Sequence, residues 1–517
     1  MPLNPGLLGT PTGHGEVLVV PNPKAWVPDV RHNTAALRAA VVRVGDNTLA
    51  AWRTTTRLAL TGRDDAPMVV LGHQPEFIHP GVWAKHVVAD RVARAVGGVA
   101  INLIVDNDVL KSSTFSLPHR NDKAWNLRPV RFTSAGAATP YEFLPALQPA
   151  EIDRLGADLH ETIGHDFSSS LLPAYLEGLR SEANPRDWVQ QTVAGRRAVD
   201  QAFGISLVEH RVSQLSFVPL LLESLREPHR FAHAYNDSLD EYRAANFIRD
   251  TRRPMPDLHV ADDRCELPWW VVRPELPRQR LFLQTRSDRV SLLTEQSHIL
   301  DLSVRDLGST TDFAAAISGH STWAIRPRAI TLTLWARLLL ADYFIHGIGG
   351  AKYDAVCDGI ISRYFGLTPP HFAAVSATLQ WDPSRENHES PLPSAAEHAL
   401  RDFRYNPHRY LRGSAEVAEQ LVQREKAIDE SIALAQNSPN DRHSRRRAFL
   451  QIHAANQALL DMHPDWLRNF ESQIAEAARS ARQRAIARGR EYFFAAYPQT
   501  ELARLATALP DFADLRL

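Results

Sequence analysis

The stretch that decides the fold runs from residue 66 to residue 108 and reads "APMVVLGHQPEFIHPGVWAKHVVADRVARAVGGVAINLIVDND". Two short apolar runs, 68–71 and 101–105, flank the segment 80–98, in which apolar residues recur at helical spacing and which stops on a pair of glycines. A strand, a loop, a helix and a second strand in this order are typical of a βαβ unit. Because such a crossover joins parallel strands, the sequence predicts that the two runs lie side by side in one parallel sheet.

Polar side chains crowd the two places where these predicted strands end. In open parallel sheets, ligands bind outside the carboxyl ends of the strands, and a helix that begins there aims the positive end of its dipole into the same space. The alternative is an ordinary polar turn. The residues predicted to form a site here are His73, His79, Asp106 and Asp108 as catalytic groups, with Gly72, Gln74 and Gly81 as substrate or nucleotide contacts.

Two later segments carry residues that suit anion binding, and we expect both to face the same crevice. In "HGIGGAKYD" (346–354), closely spaced glycines before a helical pattern let backbone N–H groups approach a phosphate, although the Walker pattern is absent. In "GHSTWAIRPRA" (319–329), two arginines flank a proline and could clamp a carboxylate or phosphate. The alternatives are an ordinary turn and structural salt bridges. The predicted substrate or nucleotide contacts are His320, Arg326, Arg328, His346, Gly347, Gly349, Gly350, Lys352 and Asp354.

The rest of the chain predicts insertions into an α/β core. Residues 140–250 carry mainly helical patterns, and 265–284 carry β-branched and aromatic runs broken by prolines, which suits a small antiparallel sheet. Beyond 410 the composition becomes rich in Ala, Glu, Gln and Arg with apolar residues three and four apart. We therefore predict a Rossmann-like parallel-sheet core with inserted helical and small β segments and a C-terminal α-helical hairpin or coiled coil. The predicted boundaries are 1–66 for an N-terminal segment packed on the core, 67–140 for the first half of the core, 141–254 for a mainly helical insertion, 255–295 for a small β-rich insertion, 296–385 for the second half of the core, 386–500 for the hairpin or coiled coil and 501–517 for a tail.

Composition narrows the class of protein. The chain is 44% apolar and 23% charged with a net charge of −1, as expected of a soluble globular protein without a global field for nucleic acid or an anionic membrane. The longest apolar stretch, 330–345, contains Arg337 and Asp342 and predicts a buried helix rather than a membrane span. The two cysteines are far apart, and residues 1–20 lack the pattern of a secretory signal. We expect a cytoplasmic protein with a small-molecule substrate, no membrane or nucleic-acid partner, no metal ligands and a helical hairpin through which a homodimer could form.

The GHQP motif at 72–75, followed by a helix that opens at Pro80 and a strand with an acidic end, resembles the cysteine-adding enzymes of bacillithiol synthesis, the BshC family. His73 stands where that family usually has glutamine, and Trp83 and Lys85 match its aromatic residue and lysine loosely. The resemblance implies a Rossmann-like nucleotide-binding core, inserted connecting segments and an α-helical coiled coil towards the C-terminus.

The same resemblance implies a ligase or transferase that binds a nucleotide and joins an amino-acid-like carboxylate to an amine of a small metabolite. The cofactor is left open, with ATP and Mg²⁺ as one candidate. In that reaction His73 and His79 would stabilise charge that develops on phosphate oxygens. Asp106 or Asp108 would hold the substrate amine or the Mg²⁺ that accompanies ATP. The alternatives are a metal-assisted hydrolase that uses the same His and Asp groups, and a non-catalytic protein that interacts through its helical hairpin.

Overall fold

The computed structural model describes residues 8–121, 124–274, 276–286, 289–320, 322–384, 393–411 and 415–513. The protein is a mixed α/β protein with 53% helix. The chain forms two compact units. We call them the core unit, residues 1–120, 127–381 and 489–517, and the helical unit, residues 121–126 and 382–488.

Strands and helices alternate through most of the core unit. In the described part of the chain the strands are β1 Val17–Val20, β2 Arg43–Val44, β3 Asn47–Thr48, β4 Met68–His73, β5 Val99–Ile104, β6 Thr114–Asn121, β7 Ala124–Arg131, β8 Val208–Arg211, β9 Val260–Ala261, β10 Arg264–Arg273, β11 Leu276–Arg286, β12 Arg289–Leu293, β13 His298–Leu302, β14 Ala324–Pro327, β15 Tyr343–His346 and β16 Phe372–Ala377. The helices are α1 Trp26–Ala39, α2 Leu49–Thr61, α3 Pro80–Ala95, α4 Pro149–Ile163, α5 Leu172–Arg180, α6 Trp188–Gln201, α7 Val218–Arg226, α8 Pro228–Ala245, α9 Thr310–Ile317, α10 Ala329–Trp335, α11 Ile348–Phe365, α12 Pro393–Tyr405, α13 Ala415–Asn437, α14 Arg442–Asp461, α15 Pro464–Ala487 and α16 Gln499–Ala508.

A six-stranded sheet forms the centre of the core unit, with the strand order β1-β16-β15-β4-β5-β8. Its neighbouring strands are parallel, except that β1 pairs antiparallel with β16 at one edge. The register of β4 and β5 runs from Met68 opposite Val99 to His73 opposite Ile104, and α3 joins the two strands. The predicted strand–helix–strand unit with adjacent parallel strands is therefore confirmed.

Helices cover both faces of this sheet. Leu71 packs in the same apolar cluster as Val87 of α3, whereas Val70 packs in the same cluster as Ile360 of α11. The chain leaves β4 through α3 towards β5 and leaves β15 through α11 towards β16, although β4 and β15 are neighbours. The strand order therefore reverses between β4 and β15. Ligands of open parallel sheets bind outside the carboxyl ends of the strands at such a point.

The prediction of one buried helix over 330–345 is wrong in its second half. The helix α10 ends at Trp335, a wider turn follows at Ala336–Leu340, and Tyr343–His346 form the strand β15. Periodicity alone does not distinguish a buried helix from a buried strand when every residue is apolar. The strand is fixed instead by pairing with β4 on one side and β16 on the other.

A second sheet in the core unit is antiparallel, with the order β13-β12-β11-β10-β14 and β9 beside β10. This confirms the predicted antiparallel sheet around 265–284. The sheet also includes β13 and β14, so it extends beyond residue 295. Its inward side chains, such as Trp269 and Leu281, share an apolar cluster with the helices α7 and α8.

The helical unit contains α12, α13, α14 and α15, and its apolar centre includes Phe403, Leu459 and Phe470. Arg424 of α13 donates a hydrogen bond from Nε to Asn456 Oδ1 of α14 (2.6 Å), and both side chains are buried. Because a buried polar group needs a partner, this bond fixes how the two helices face each other. Within the described residues of the whole chain, no helix is both long enough and apolar enough to cross a membrane.

Candidate functional site

Two neutral histidines lie where β4 ends. The half-buried His73 donates a hydrogen bond from Nδ1 to the carbonyl oxygen of Gln74 (3.0 Å), which leaves Nε2 without a proton. Burial, together with Lys85, lowers the pKa of His73 well below its usual range. Burial, Arg490 and Lys85 lower the pKa of His79 to about 4. Neither imidazole is therefore charged at neutral pH.

The helix α3 begins at this site and aims its free N–H groups into it. His79 is the N-cap residue, and its Nδ1 accepts a hydrogen bond from the backbone N–H of Gly81 (3.1 Å), so the ring proton lies on Nε2. A Cβ atom added at Gly81 would lie 2.6 Å from the Ala377 carbonyl oxygen and 2.7 Å from Arg490 Nη2. Only glycine therefore lets the start of α3 approach the carboxyl end of β16 this closely.

Lys85, on the second turn of α3, brings a buried positive charge to the same place. Its residue surface is 2% exposed, and its Nζ donates to the Gly72 carbonyl oxygen (2.8 Å). In the described part of the chain, Lys85 forms no ion pair: no carboxylate oxygen lies within 4.0 Å of its Nζ. Burial lowers the pKa of Lys85 to about 8. We did not predict Lys85 as a site residue, although a lone lysine in the apolar run "VWAKHVV" was a signal for it.

Arg490 adds a second cation. It belongs to residues 489–517, the last segment of the core unit along the chain. Its Nη2 donates to Ser376 Oγ (2.8 Å) and to the Ala377 carbonyl oxygen (3.1 Å). The buried Nε of Arg490 has no hydrogen-bond partner among the described residues. Burial lowers the pKa of Arg490. The start of α3, Lys85 and Arg490 thus concentrate positive charge, and such a place suits a phosphate or carboxylate.

A small cavity of ≈ 20 Å³, room for about one water molecule, lies under the loop that follows β4, and His73, Glu76, His86 and Asn102 are among the side chains that line it. Glu76 Oε1 accepts a hydrogen bond from the Tyr141 hydroxyl (2.9 Å) and lies 3.2 Å from Lys111 Nζ, whereas Oε2 has no partner among the described residues. Asn102 Oδ1 is also buried without a partner. The cavity therefore offers free acceptors beside the cationic site.

Asp106, predicted as a catalytic residue, is part of a buried ion pair. Its side chain is fully buried and accepts hydrogen bonds from Arg211 Nε (2.7 Å), the Ser213 backbone N–H (2.7 Å) and the Ser213 hydroxyl (2.5 Å). Both carboxylate oxygens are engaged, so the geometry supports a structural role. Asp108 is less buried, but Gln74 Nε2 (2.8 Å) and Arg278 Nη1 (2.9 Å) engage its two oxygens.

We therefore expect Asp106→Ala to destabilise the protein, whereas loss of a purely catalytic group would leave the melting temperature nearly unaltered. Removing a buried carboxylate leaves Arg211 with Asp187 as its remaining partner and Ser213 without an acceptor. The expected loss is about 2–4 kcal/mol. Thermal unfolding tests this, with Asp166→Ala as the control because the Asp166 side chain is 51% exposed. Equal melting temperatures in the two variants would contradict it.

The arginine segment lies beside the loop after β5. Arg326 Nη2 contacts Glu142 (2.8 Å), and the Glu142 backbone N–H donates to the Asp106 carbonyl oxygen (2.9 Å). Arg328 instead pairs with the buried Glu266 (2.7 Å). Both arginines thus make the structural salt bridges that we had weighed as the alternative to a ligand clamp.

The glycine segment after β15 contributes one buried network and several residues with no contact to the site. His346 Nε2 lies 3.0 Å from Asp354, which also pairs with Arg337 Nη1 (2.8 Å), all beneath α11. A Cβ atom at Gly350 would lie 2.8 Å from His346 Nδ1, so this glycine allows the packing of the histidine. Gly347 is the N-cap residue of α11, and the space around Gly349 is open.

The remaining predicted contacts lie on the surface. Lys352 is exposed on α11, and His320 is exposed and stacks on Trp323 with ring centroids 4.9 Å apart. The neighbouring Ser321 lies outside the described residues. In the described part of the chain, neither Lys352 nor His320 makes a hydrogen bond or ion pair to the loop after β4.

Metal coordination was one of the alternatives weighed for the His and Asp groups. Among the described residues, no three His, Cys, Asp or Glu side chains are grouped so that they could hold a metal ion. Comparison with models of known protein families and with curated proteins finds no match to this chain.

Proposed function

We propose that the protein is a nucleotide-binding ligase or transferase of BshC-like type, which joins an amino-acid-like carboxylate to an amine of a small metabolite. In this proposal the central sheet is a Rossmann-like core, the helical unit is a hairpin or coiled coil that offers a dimer surface, and the enzyme works in the cytoplasm. One observation carries the proposal: Lys85 is buried at the reversal point of a parallel sheet, with no carboxylate partner among the described residues.

A buried ammonium group without a counter-ion is costly in the free protein. Burial moves the pKa of Lys85 from 10.5 to about 8, which corresponds to a cost of about 3 kcal/mol at neutral pH. A phosphate bound at the start of α3 would contact Lys85 and Arg490 and would remove that cost. The electrostatics of the free site therefore favour an anionic ligand.

The two histidines differ in what they can do, because their hydrogen bonds fix different tautomers. The proton of His79 lies on Nε2, which can donate to a phosphate oxygen as charge develops there. His73 has its free electron pair on Nε2, which can accept the proton that an attacking amine loses. The free Oε2 of Glu76 takes over the amine-binding role first assigned to Asp106 or Asp108.

In the proposed reaction a carboxylate oxygen of the substrate forms a bond to the γ-phosphorus of ATP, which Mg²⁺ accompanies. The bond from that phosphorus to the bridging oxygen breaks and ADP leaves, so that the carboxylate becomes an acyl phosphate. The amine nitrogen then forms a bond to the acyl carbon, the bond from that carbon to the phosphate oxygen breaks, and the amine proton passes to His73. The released phosphate stays against Lys85, Arg490 and the start of α3, whose positive charge stabilises the leaving group.

The affinity for ATP should fall as the pH rises above about 8. Below that value Lys85 is charged in both the free and the bound protein, so its contribution to affinity is constant. Above pH 8 Lys85 loses its proton in the free protein, whereas a bound phosphate keeps Lys85 protonated. The affinity for ATP therefore falls by up to about tenfold per pH unit. Calorimetric titration of the full chain with ATP and Mg²⁺ from pH 7.5 to 10 measures this. An affinity that stays constant across that range would contradict the proposal.

A further inference from the structure

A second pocket opens at the carboxyl ends of β5 and β8, on the other side of α6 from the cavity described above. Its volume is ≈ 240 Å³, and three arginines, Arg186, Arg197 and Arg211, line it. Ile104 and Val193 line both this pocket and the inner cavity, so two apolar side chains separate the two spaces. The pocket is large enough for a small metabolite.

Each of the three arginines keeps at least one guanidinium nitrogen without an acceptor among the described residues. Arg211 uses Nε and Nη1 for Asp106 and Asp187, and Arg197 uses Nε and Nη2 for Glu209. Their remaining guanidinium nitrogens, and the whole guanidinium group of Arg186, have no acceptor among the described residues.

The acidic groups in the pocket are more fully used. Glu209 is surrounded by Arg196, Arg197 and the Asn102 amide, so both of its oxygens are engaged. Glu182 Oε2 accepts from Gln190 Nε2 (3.0 Å), which leaves Oε1 as the free carboxylate oxygen of the pair. Among the described residues, free donors on cationic groups therefore outnumber free charged acceptors, so the pocket can donate hydrogen bonds to an anion.

We propose that this pocket binds a small anion through its carboxylate or phosphate oxygens. The site goes beyond the proposed function, because it uses neither Lys85 nor the start of α3. The proposal also assigns a role to the buried Asp106. Asp106 and Asp187 fix the orientation of the Arg211 guanidinium group, and its Nη2 is then available to the ligand. Asp106 is thus a positioning residue for this pocket, and a pre-organised arginine loses less entropy on binding.

Protection of individual arginines from chemical modification tests the site directly. Phenylglyoxal modifies exposed guanidinium groups, and mass spectrometry of peptides from the full chain reports on Arg186 and Arg197 separately. Malonate and inorganic phosphate serve as the probes, with sodium chloride keeping the ionic strength constant. We expect at least one probe to slow modification of both arginines severalfold, and which probe does so distinguishes a carboxylate from a phosphate ligand.

Variants test the same site in solution. Arg186→Ala combined with Arg197→Ala should weaken calorimetric binding of the protecting anion at least tenfold, whereas Arg31→Ala combined with Arg154→Ala removes two exposed arginines elsewhere and should not. Lys85→Met should leave the protection of Arg186 intact, so this site can fail or succeed independently of the ATP site. Absence of protection by both probes in the wild-type protein, or equal weakening in both double variants, would overturn the proposal.

Discussion

Replacing Asp342 by alanine is expected to lower the free energy of unfolding by about 3–5 kcal/mol, because it leaves two buried arginines without their counter-ion. Asp342 is 1% exposed and accepts hydrogen bonds from Arg53 Nη2 (2.8 Å), Arg57 Nη2 and the Met68 backbone N–H (2.7 Å). These contacts connect α2 to the start of β4 and to the segment before β15. Burial already lowers the pKa of Arg53 to about 10, even with Asp342 in place.

Thermal unfolding of Asp342→Ala should therefore show a melting temperature several degrees below that of the wild type. The matched control is Asp65→Ala, since the Asp65 pair with Arg63 is exposed and contributes little. Replacing Arg53, Arg57 and Asp342 together by apolar residues of similar volume should recover most of the lost stability, as for other buried ion networks. A melting temperature unchanged in Asp342→Ala would show that solvent reaches these arginines.

The second large effect is expected on replacing Lys85, and here the free energy of unfolding should rise rather than fall. Lys85→Met should stabilise the free protein by up to about 3 kcal/mol at neutral pH, because methionine fills a similar volume without a buried charge. The folded-state pKa lies below the unfolded-state pKa of 10.5, so the cost is fully present below pH 8 and disappears as the pH rises to 10.5. The wild type should thus gain stability relative to Lys85→Met over that range.

Measurement of the melting temperature at pH 7 and pH 10 for both proteins tests this prediction. Lys24→Met, which changes an exposed lysine, is the control and should match the wild type at both values. A lower melting temperature for Lys85→Met at pH 7 would mean that Lys85 stabilises the fold, as an ordinary structural lysine does.

The sequence was sufficient to predict the βαβ unit, because each of its signals is local. The apolar runs around Val70 and Ile101 are continuous, the helix between them starts with Pro80, and Gly97 adopts a positive φ of 64° where the helix ends. Side chains this close along the chain determine their own elements, and the parallel pairing then follows from the handedness of the crossover.

The roles of the site residues depend on groups that are distant in sequence, so they could not be predicted in the same way. Asp106 stands at a strand end as a catalytic aspartate would, but its partner Arg211 lies 105 residues further along the chain. Arg490 lies beside the start of α3, although it follows the helical unit in the sequence. No pattern in the sequence predicts that it lies close to His79. Residue type and spacing identified the edge of the sheet, whereas tertiary contacts decide which charges there remain free.

We propose that Lys85, which is buried with no carboxylate partner among the described residues, binds an anion. Calorimetric titration of ATP with Mg²⁺ into the wild type, Lys85→Met and Lys24→Met at pH 7.5 tests it most directly. A charged hydrogen bond contributes roughly 1.5–3 kcal/mol, so we expect Lys85→Met to bind ATP about 10–100-fold more weakly while Lys24→Met binds as the wild type does. Equal affinity in all three proteins would contradict the claim.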